Sequence, residues 1–174
     1  PMNRTKRITL CGISAALAAA LMLVSYFPYL TYAVPAVAGL FIMVPVFEIG
    51  CKWATGTYLV SLVPVLLLAE PEAKLLYALI FGYYPILKAA TEHIPFLLRW
   101  IIRLAAANGA IAVVYLVFAP LLGIPTDEFG QYGKIGIIAL WAAANVVFVV
   151  YDIAVARISV VYSVRIRPKI MKYF

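Results

Sequence analysis

Glu48, Lys88, Glu92 and Asp152 lie within or at the edge of long apolar stretches. An ionisable group in such a place is costly and persists when it is paired or used. The signs permit pairing: Lys88 and Glu92 stand four apart on one helix, and Asp152 and Glu48 are placed to reach Lys88 or Arg103 across helices. A proton or ion relay is the alternative, but no row of carboxylates lines one helix face, which favours structural pairing. A second group is uncharged. Counting about 1.5 Å per residue, Tyr84, Asn108 and Asn145 share a depth near mid-membrane, and Trp141 lies one turn further out on the Asn145 face. Tyr77, Phe81, Tyr84 and Lys88 form a stripe at three- and four-residue spacing. Ring surfaces beside a few fixed hydrogen bonds are what a small-molecule pocket opening outward requires. In the competing reading each asparagine bonds a neighbouring helix and the aromatics only pack.

Other chemistries have no residues to perform them. Gly133-Lys134-Ile135 lacks the loop and hydroxyl of a phosphate-binding motif, and neither HExxH nor GxSxG occurs. The chain therefore does not hydrolyse ATP by any recognisable motif, and it is expected to be neither an enzyme nor the holder of a cofactor. Cys11 and Cys51 offer no metal spacing or disulfide framework and read as packing residues. His93, beside Pro95 at a loop edge, reads as interfacial rather than as a ligand. The net charge of +7 is read as the basic excess of cytoplasmic loops rather than as a nucleic-acid surface.

The elements that position these groups follow from composition. Of 174 residues, 66% are hydrophobic and 12% charged, about half the charged share of an ordinary soluble domain. The pattern predicts one all-α integral membrane domain over residues 1–174, a bundle of six transmembrane helices. Pro1 before Met2 reads as an expression scar, and the run after Arg4, Lys6 and Arg7 as a first span, not a cleaved signal, because apolar spans continue to the C-terminus. The spans run from about Ile8 to Phe27, Ala33 to Gly50, Ala54 to Ala69 and Ala73 to Ala90. A fifth carries Arg99 and Arg103 on its early turns and ends near Pro120; a sixth runs from Lys134 to at least Arg157. Prolines 35, 45 and 64 make the second and third spans short or bent, and Pro85 predicts a kink in the fourth. Glu70, Glu72, Asp127 and Glu128 fall in outer loops, whereas the basic clusters at both ends, Lys52, Arg99 and Arg103 fall inside, so both termini are expected in the cytoplasm of a cell-membrane protein. Ala15 and Ala19, and Ala16 and Ala20, each four apart, form a small-residue face that a partner helix can approach closely.

With its alanine-rich first helix (Ala15, Ala16, Ala19, Ala20) and its proline-containing second segment TYAVPAVAGLFIMVPVFEIG (Thr31 to Gly50), the chain resembles the substrate-binding S-components of energy-coupling factor (ECF) vitamin transporters. The resemblance implies six helices with cytoplasmic termini and a pocket for a small water-soluble nutrient in the outer half. It also implies docking of the alanine face on a transmembrane coupling subunit that works with two ATPases. Tyr77, Phe81, Tyr84, Asn108, Trp141 and Asn145 are the candidate pocket residues. Two other functions remain open: a scaffolding membrane protein, and an ion-coupled carrier using Glu48, Lys88 and Asp152.

Overall fold

The computed structural model describes residues 3–118 and 133–170. The described residues form helices and short connections, with no strand among them. Helix α1 (Arg4–Met22) tightens into a 3-10 turn (Leu23–Tyr26), and α2 (Ala33–Glu48) returns to α3 (Cys51–Leu68). The fourth apolar segment is divided into α4 (Pro71–Leu76), a π-helical stretch (Tyr77–Phe81) and α5 (Tyr84–Thr91). Next comes α6 (Phe96–Val113), which widens into π-helix over Val114–Phe118. Helix α7 (Gly133–Val161) is followed by a π-helical turn (Tyr162–Ile166) and α8 (Arg167–Ile170).

Four of these elements are long and apolar enough to cross a membrane: Arg4–Tyr26, Cys51–Leu68, Phe96–Val117 and Ile138–Lys169. Large apolar side chains such as Leu67, Leu97, Ile138 and Val164 point outward on them, as lipid-facing residues do. With 16 residues, α2 is about 24 Å long, shorter than a hydrocarbon core of about 30 Å. Its prolines act differently: Pro35 sits in the first turn, where no backbone donor is lost, while Pro45 lies inside the helix. The passage to α3 is abrupt because Gly50 adopts φ +103, a conformation open to glycine at little cost.

At the expected kink before Pro85 the helical hydrogen bonding breaks, although Gly82 and Tyr83 both keep right-handed helical backbone angles. Pro85 takes the second position of α5, where its missing N–H would have no helical partner, and Gly82–Tyr83 form the turn before it. Upstream, the π-helical stretch leaves carbonyls to be satisfied from other elements. The Tyr58 hydroxyl on α3 donates to the Ala78 carbonyl. Gly39 on α2 passes so close to the Phe81 carbonyl that any Cβ there would collide with it, and would also come within 2.9 Å of the Tyr151 hydroxyl. The broken segment is thus held by α2 and α3, as non-helical backbone at membrane depth must be.

Two apolar cores flank this break. One joins α1–α4 and the start of the π-helical stretch through Met22, Ala38, Val65, Ala73 and Tyr77. The other joins α2, the break, α6 and α7 through Met43, Phe81, Phe148 and Tyr151. The four alanines of α1 do not share a face. Ala15 is buried in the bundle beside Ser14 and Ala18, and Ala19 is half-buried, while Ala16 and Ala20 are exposed. Neighbours in sequence sit about 100° apart on a helix, so the two alanine pairs face different ways. The outer loop expected at Gly123 to Gly133, with Asp127 and Glu128, lies outside the described residues apart from Gly133.

Candidate functional site

Most inward polar residues described on α7 fall on one stripe at alternating four- and three-residue spacing: Trp141, Asn145, Asp152, Ser159, with Tyr162 continuing it; Tyr151, whose hydroxyl donates to the Ala36 carbonyl at 3.2 Å, lies beside it. Phe148 and Val155 fill the same stripe with buried apolar surface. This register, about 3.5 residues per turn, keeps one face of a helix on its neighbours. It carries two polar nodes, separated by about two turns.

The outer node is built from amides. Asn108 on α6 donates from Nδ2 to Asn145 Oδ1 at 2.8 Å, and Asn145 Nδ2 donates back to Asn108 Oδ1 at 3.0 Å. Trp141 Nε1 adds a second donor to Asn108 Oδ1 at 2.5 Å. The remaining amide hydrogens go to backbone carbonyls one turn away, Leu104 at 2.9 Å and Trp141 at 2.9 Å. All four amide N–H groups are thereby used, and Asn145 Oδ1, with one donor, keeps a lone pair for a further one. The three side chains are half-buried. The node can offer a ligand one amide acceptor and the Trp141 ring face, or open its reciprocal pair.

The inner node is charged and more deeply buried. Lys88 on α5, Arg103 on α6 and Asp152 on α7 are 8%, 3% and 6% exposed. Lys88 Nζ donates to Asp152 Oδ1 at 2.5 Å and to the Asp152 carbonyl at 2.8 Å. Arg103 Nη1 reaches the same carboxylate oxygen at 3.3 Å, and the Tyr84 hydroxyl donates to it as well. The rest of the guanidinium is also engaged: Nε with Thr91 Oγ1 at 2.9 Å and Nη2 with the Lys88 carbonyl at 3.0 Å. Glu92, at the edge of the bundle, pairs with Arg103 at 3.5 Å and Arg99 at 3.3 Å. Two buried cations on one carboxylate, with Glu92 supplying a second from the edge, form a node that clamps three helices.

The expected pairings hold in part. Asp152 does meet Lys88 and Arg103, but Lys88 turns to Asp152, and Glu92 to the arginines. Glu48 does not join them. Its side chain, only 2% exposed, is paired at 3.1 Å with Arg167 and accepts from the Tyr162 hydroxyl at 3.1 Å. Glu48 therefore ties the end of α2 to the far end of the last helix. His93 is exposed at the turn before α6.

The six candidate pocket residues fall into separate groups. Asn108, Asn145 and Trp141 come together. Tyr84 belongs to the charged node, and its ring meets Phe148 edge-on at 5.0 Å. Phe81 packs edge-on against Tyr151 at 4.7 Å. Tyr77 shares a 2.7 Å hydrogen bond with Ser61 on α3. Tyr77, Phe81, Tyr84 and Lys88 are all buried, as one inward stripe would be, and Phe81 and Tyr84 meet the same Tyr151 ring, at 4.7 and 5.5 Å, but Tyr77 bonds α3 while Lys88 bonds Asp152. Thr91, Ser61 and Arg167 take part without having been singled out. The stripe spacing of α7 was the sequence signal for Tyr162, and nothing comparable marks the other three. Among the described residues no cluster of His, Cys, Asp and Glu could hold a metal ion. Compared with family models, curated proteins and solved structures, the chain matches none.

Proposed function

We propose that this chain is a substrate-binding membrane subunit that captures a small, water-soluble, vitamin-like nutrient outside the cell for ATP-driven uptake, as an S-component of an ECF-type transporter does. In this reading the bundle crosses the cell membrane six times with both termini in the cytoplasm, and the chain itself is not an enzyme. The observation that carries the reading is the polar track on the inward face of α7. It runs from Trp141 through Asn145 to Asp152, about 16 Å of depth at about 1.5 Å per residue. A discontinuous helix, α4–α5, lies against its inner end, an arrangement used at the binding sites of membrane transporters. The amide node is the ligand-facing part, with Trp141 as the stacking surface. Ala16 and Ala20, exposed on α1, remain the docking residues for a transmembrane coupling subunit that works with two ATPases.

The test is native mass spectrometry of protein extracted gently from membranes of its own host. A small molecule should be retained by the wild-type chain and lost on combined Asn108→Ala and Asn145→Ala substitution. No retained molecule, with an unchanged spectrum for the variant, would leave the amides as helix-to-helix bonds only. A second reading, an ion-coupled carrier, draws on Lys88 and Asp152 being buried together with Tyr84. It requires pH-coupled flux that disappears in Asp152→Asn.

A further inference from the structure

Away from both nodes, α1 and α3 run side by side and leave a groove of about 410 Å³ between them. Their register is marked by Cys11, whose Sγ lies 4.0 Å from the Trp53 carbonyl. Ile8 and Gly12 on α1 and Gly56 and Val60 on α3 line the groove. It is deep because two glycines share it. A Cβ placed on Gly12 or on Gly56 would meet nothing within 4 Å. Both helices pack mainly through adjacent faces: α1 buries Leu10, Ser14, Ala15, Ala18 and Met22, and α3 buries Ala54, Thr57, Ser61 and Val65, of which Thr57 also lines the groove. The groove opens toward the surface that carries exposed Leu59, Val60 and Val63.

Its chemistry changes along its length. One end is apolar, whereas the other is closed by Trp53 and Lys52, and Arg4 lies on α1 one turn before Ile8, on the same face. The sequence from Pro1 to Phe47 holds no Asp or Glu. The Glu48 side chain is itself buried against Arg167 and Tyr162. A tryptophan at the basic end fits the headgroup level of a bilayer.

We propose that this groove is a binding site for an anionic phospholipid, with one acyl chain laid over Gly12 and Gly56 and the phosphate held by Arg4 and Lys52. The apolar floor from Lys52 to Val60 is about 12 Å long at about 1.5 Å per residue, enough for part of an acyl chain. A docked transmembrane helix would run over about 30 Å, and beyond Gly56 it would meet exposed Leu59, Val60 and Val63 instead of small residues. Basic side chains at the membrane surface attract anionic headgroups, which makes the pairing of groove and rim selective rather than merely greasy. The site shares no residue with the nodes on α5, α6 and α7, but Gly12 lies one turn before Ala16 on the α1 face given above to a coupling subunit.

The full chain in detergent would be titrated with phosphatidylglycerol and, separately, with phosphatidylcholine carrying the same acyl chains, and bound lipid counted by native mass spectrometry. The wild-type chain should bind phosphatidylglycerol about tenfold or more tighter than phosphatidylcholine. Arg4→Gln with Lys52→Gln should bring the two lipids level. Gly12→Leu with Gly56→Leu should remove both while leaving the thermal midpoint near wild type, because the new side chains enter open space. Equal affinity for the two lipids in the wild type would overturn the proposal, as would undiminished phosphatidylglycerol binding in the leucine pair. A photo-crosslinker at Gly56 that captures a second copy of the chain or a partner helix, in place of added lipid, would also overturn it. The glutamine pair lies on the surface and keeps the test decisive even where the leucine pair disturbs folding.

Discussion

Two polar nodes share one face of α7, about 10 Å apart along its axis, and they are built on opposite plans. The inner one gathers Lys88, Arg103 and Asp152 into near-complete burial, with Tyr84 donating to the carboxylate and Thr91 accepting from the guanidinium. The outer one is neutral, half-buried and closed mainly on itself, as Asn108 and Asn145 exchange hydrogen bonds under the Trp141 N–H. Removing one member of a buried charge set leaves the others uncompensated, so the inner node tolerates no loss and fixes how α5, α6 and α7 meet. Exchanging one amide hydrogen bond for another changes little in energy, so the outer node can open to a ligand and close again. Integrity belongs to the charges; in the proposed function recognition belongs to the amides.

The largest effect separating the two nodes is expected at Asp152. Asp152→Ala strands Lys88, which is 8% exposed, and leaves Arg103 with Glu92 at the edge as its only carboxylate, and breaking a buried pair in this way costs about 3–5 kcal/mol. Against a total stability of about 5–15 kcal/mol for an ordinary domain, that is a large share. Thermal unfolding in detergent should show a steep fall in midpoint or failure to purify. A normal midpoint combined with lost pH-coupled flux would break the comparison, making the charged node a relay and not a clamp.

A smaller effect is expected at the outer node. Inter-helix hydrogen bonds within membranes average about 0.6 kcal/mol, so Asn145→Ala should move the unfolding midpoint only slightly. If the node recognises a ligand, the same substitution should weaken binding several-fold, one hydrogen bond contributing about 1 kcal/mol. Asn108→Ala added to it should cost less than the sum of the single changes, because the two amides share their bonds. A large loss of stability from Asn145→Ala would erase the contrast between the nodes.

How far the sequence foretold these nodes depends on which physical rule governed each residue. Asp152, Lys88 and Arg103 could be paired from sequence because charge in an apolar bundle has few alternatives. Asn108, Asn145 and Trp141 were legible from depth and helical spacing alone, since α6 and α7 run regularly through them. The Tyr77-to-Lys88 stripe is buried as its spacing suggested, but its partners could not be read where the backbone leaves the 3.6-residue repeat, and no residue other than Pro85 and Gly82 announces that change. Glu48 was given the wrong partner because the last helix continues past Arg157 to Arg167 through a π-helical turn. The alanines of α1 show a plainer limit: spacing identifies a small-residue stripe, but burial decides whether it faces the bundle, as at Ala15, or the surface, as at Ala16.

The smallest effect is expected outside the apolar segments, where it supplies a baseline for both nodes. The Tyr32 hydroxyl, at the start of α2, donates to Glu72 Oε2 at 3.0 Å, and the residue is 66% exposed. Partial burial raises its pKa above the ordinary value of 10.0, and the hydrogen bond and charge of Glu72 raise it further. A raised folded-state value means that the contact helps folding fully below pH 10.0 and is lost as pH rises through the folded value. At neutral pH, Tyr32→Phe should therefore lower stability by no more than about 0.5 kcal/mol, as surface substitutions usually do. In strongly alkaline solution the order should reverse, because the wild-type phenolate would face Glu72 and Glu70 while phenylalanine carries no charge. Paired unfolding curves for wild type and Tyr32→Phe at neutral and alkaline pH measure this directly. Should Tyr32→Phe cost as much at neutral pH as Asp152→Ala, the depth of burial would not be what divides the charged node from the rest of the molecule.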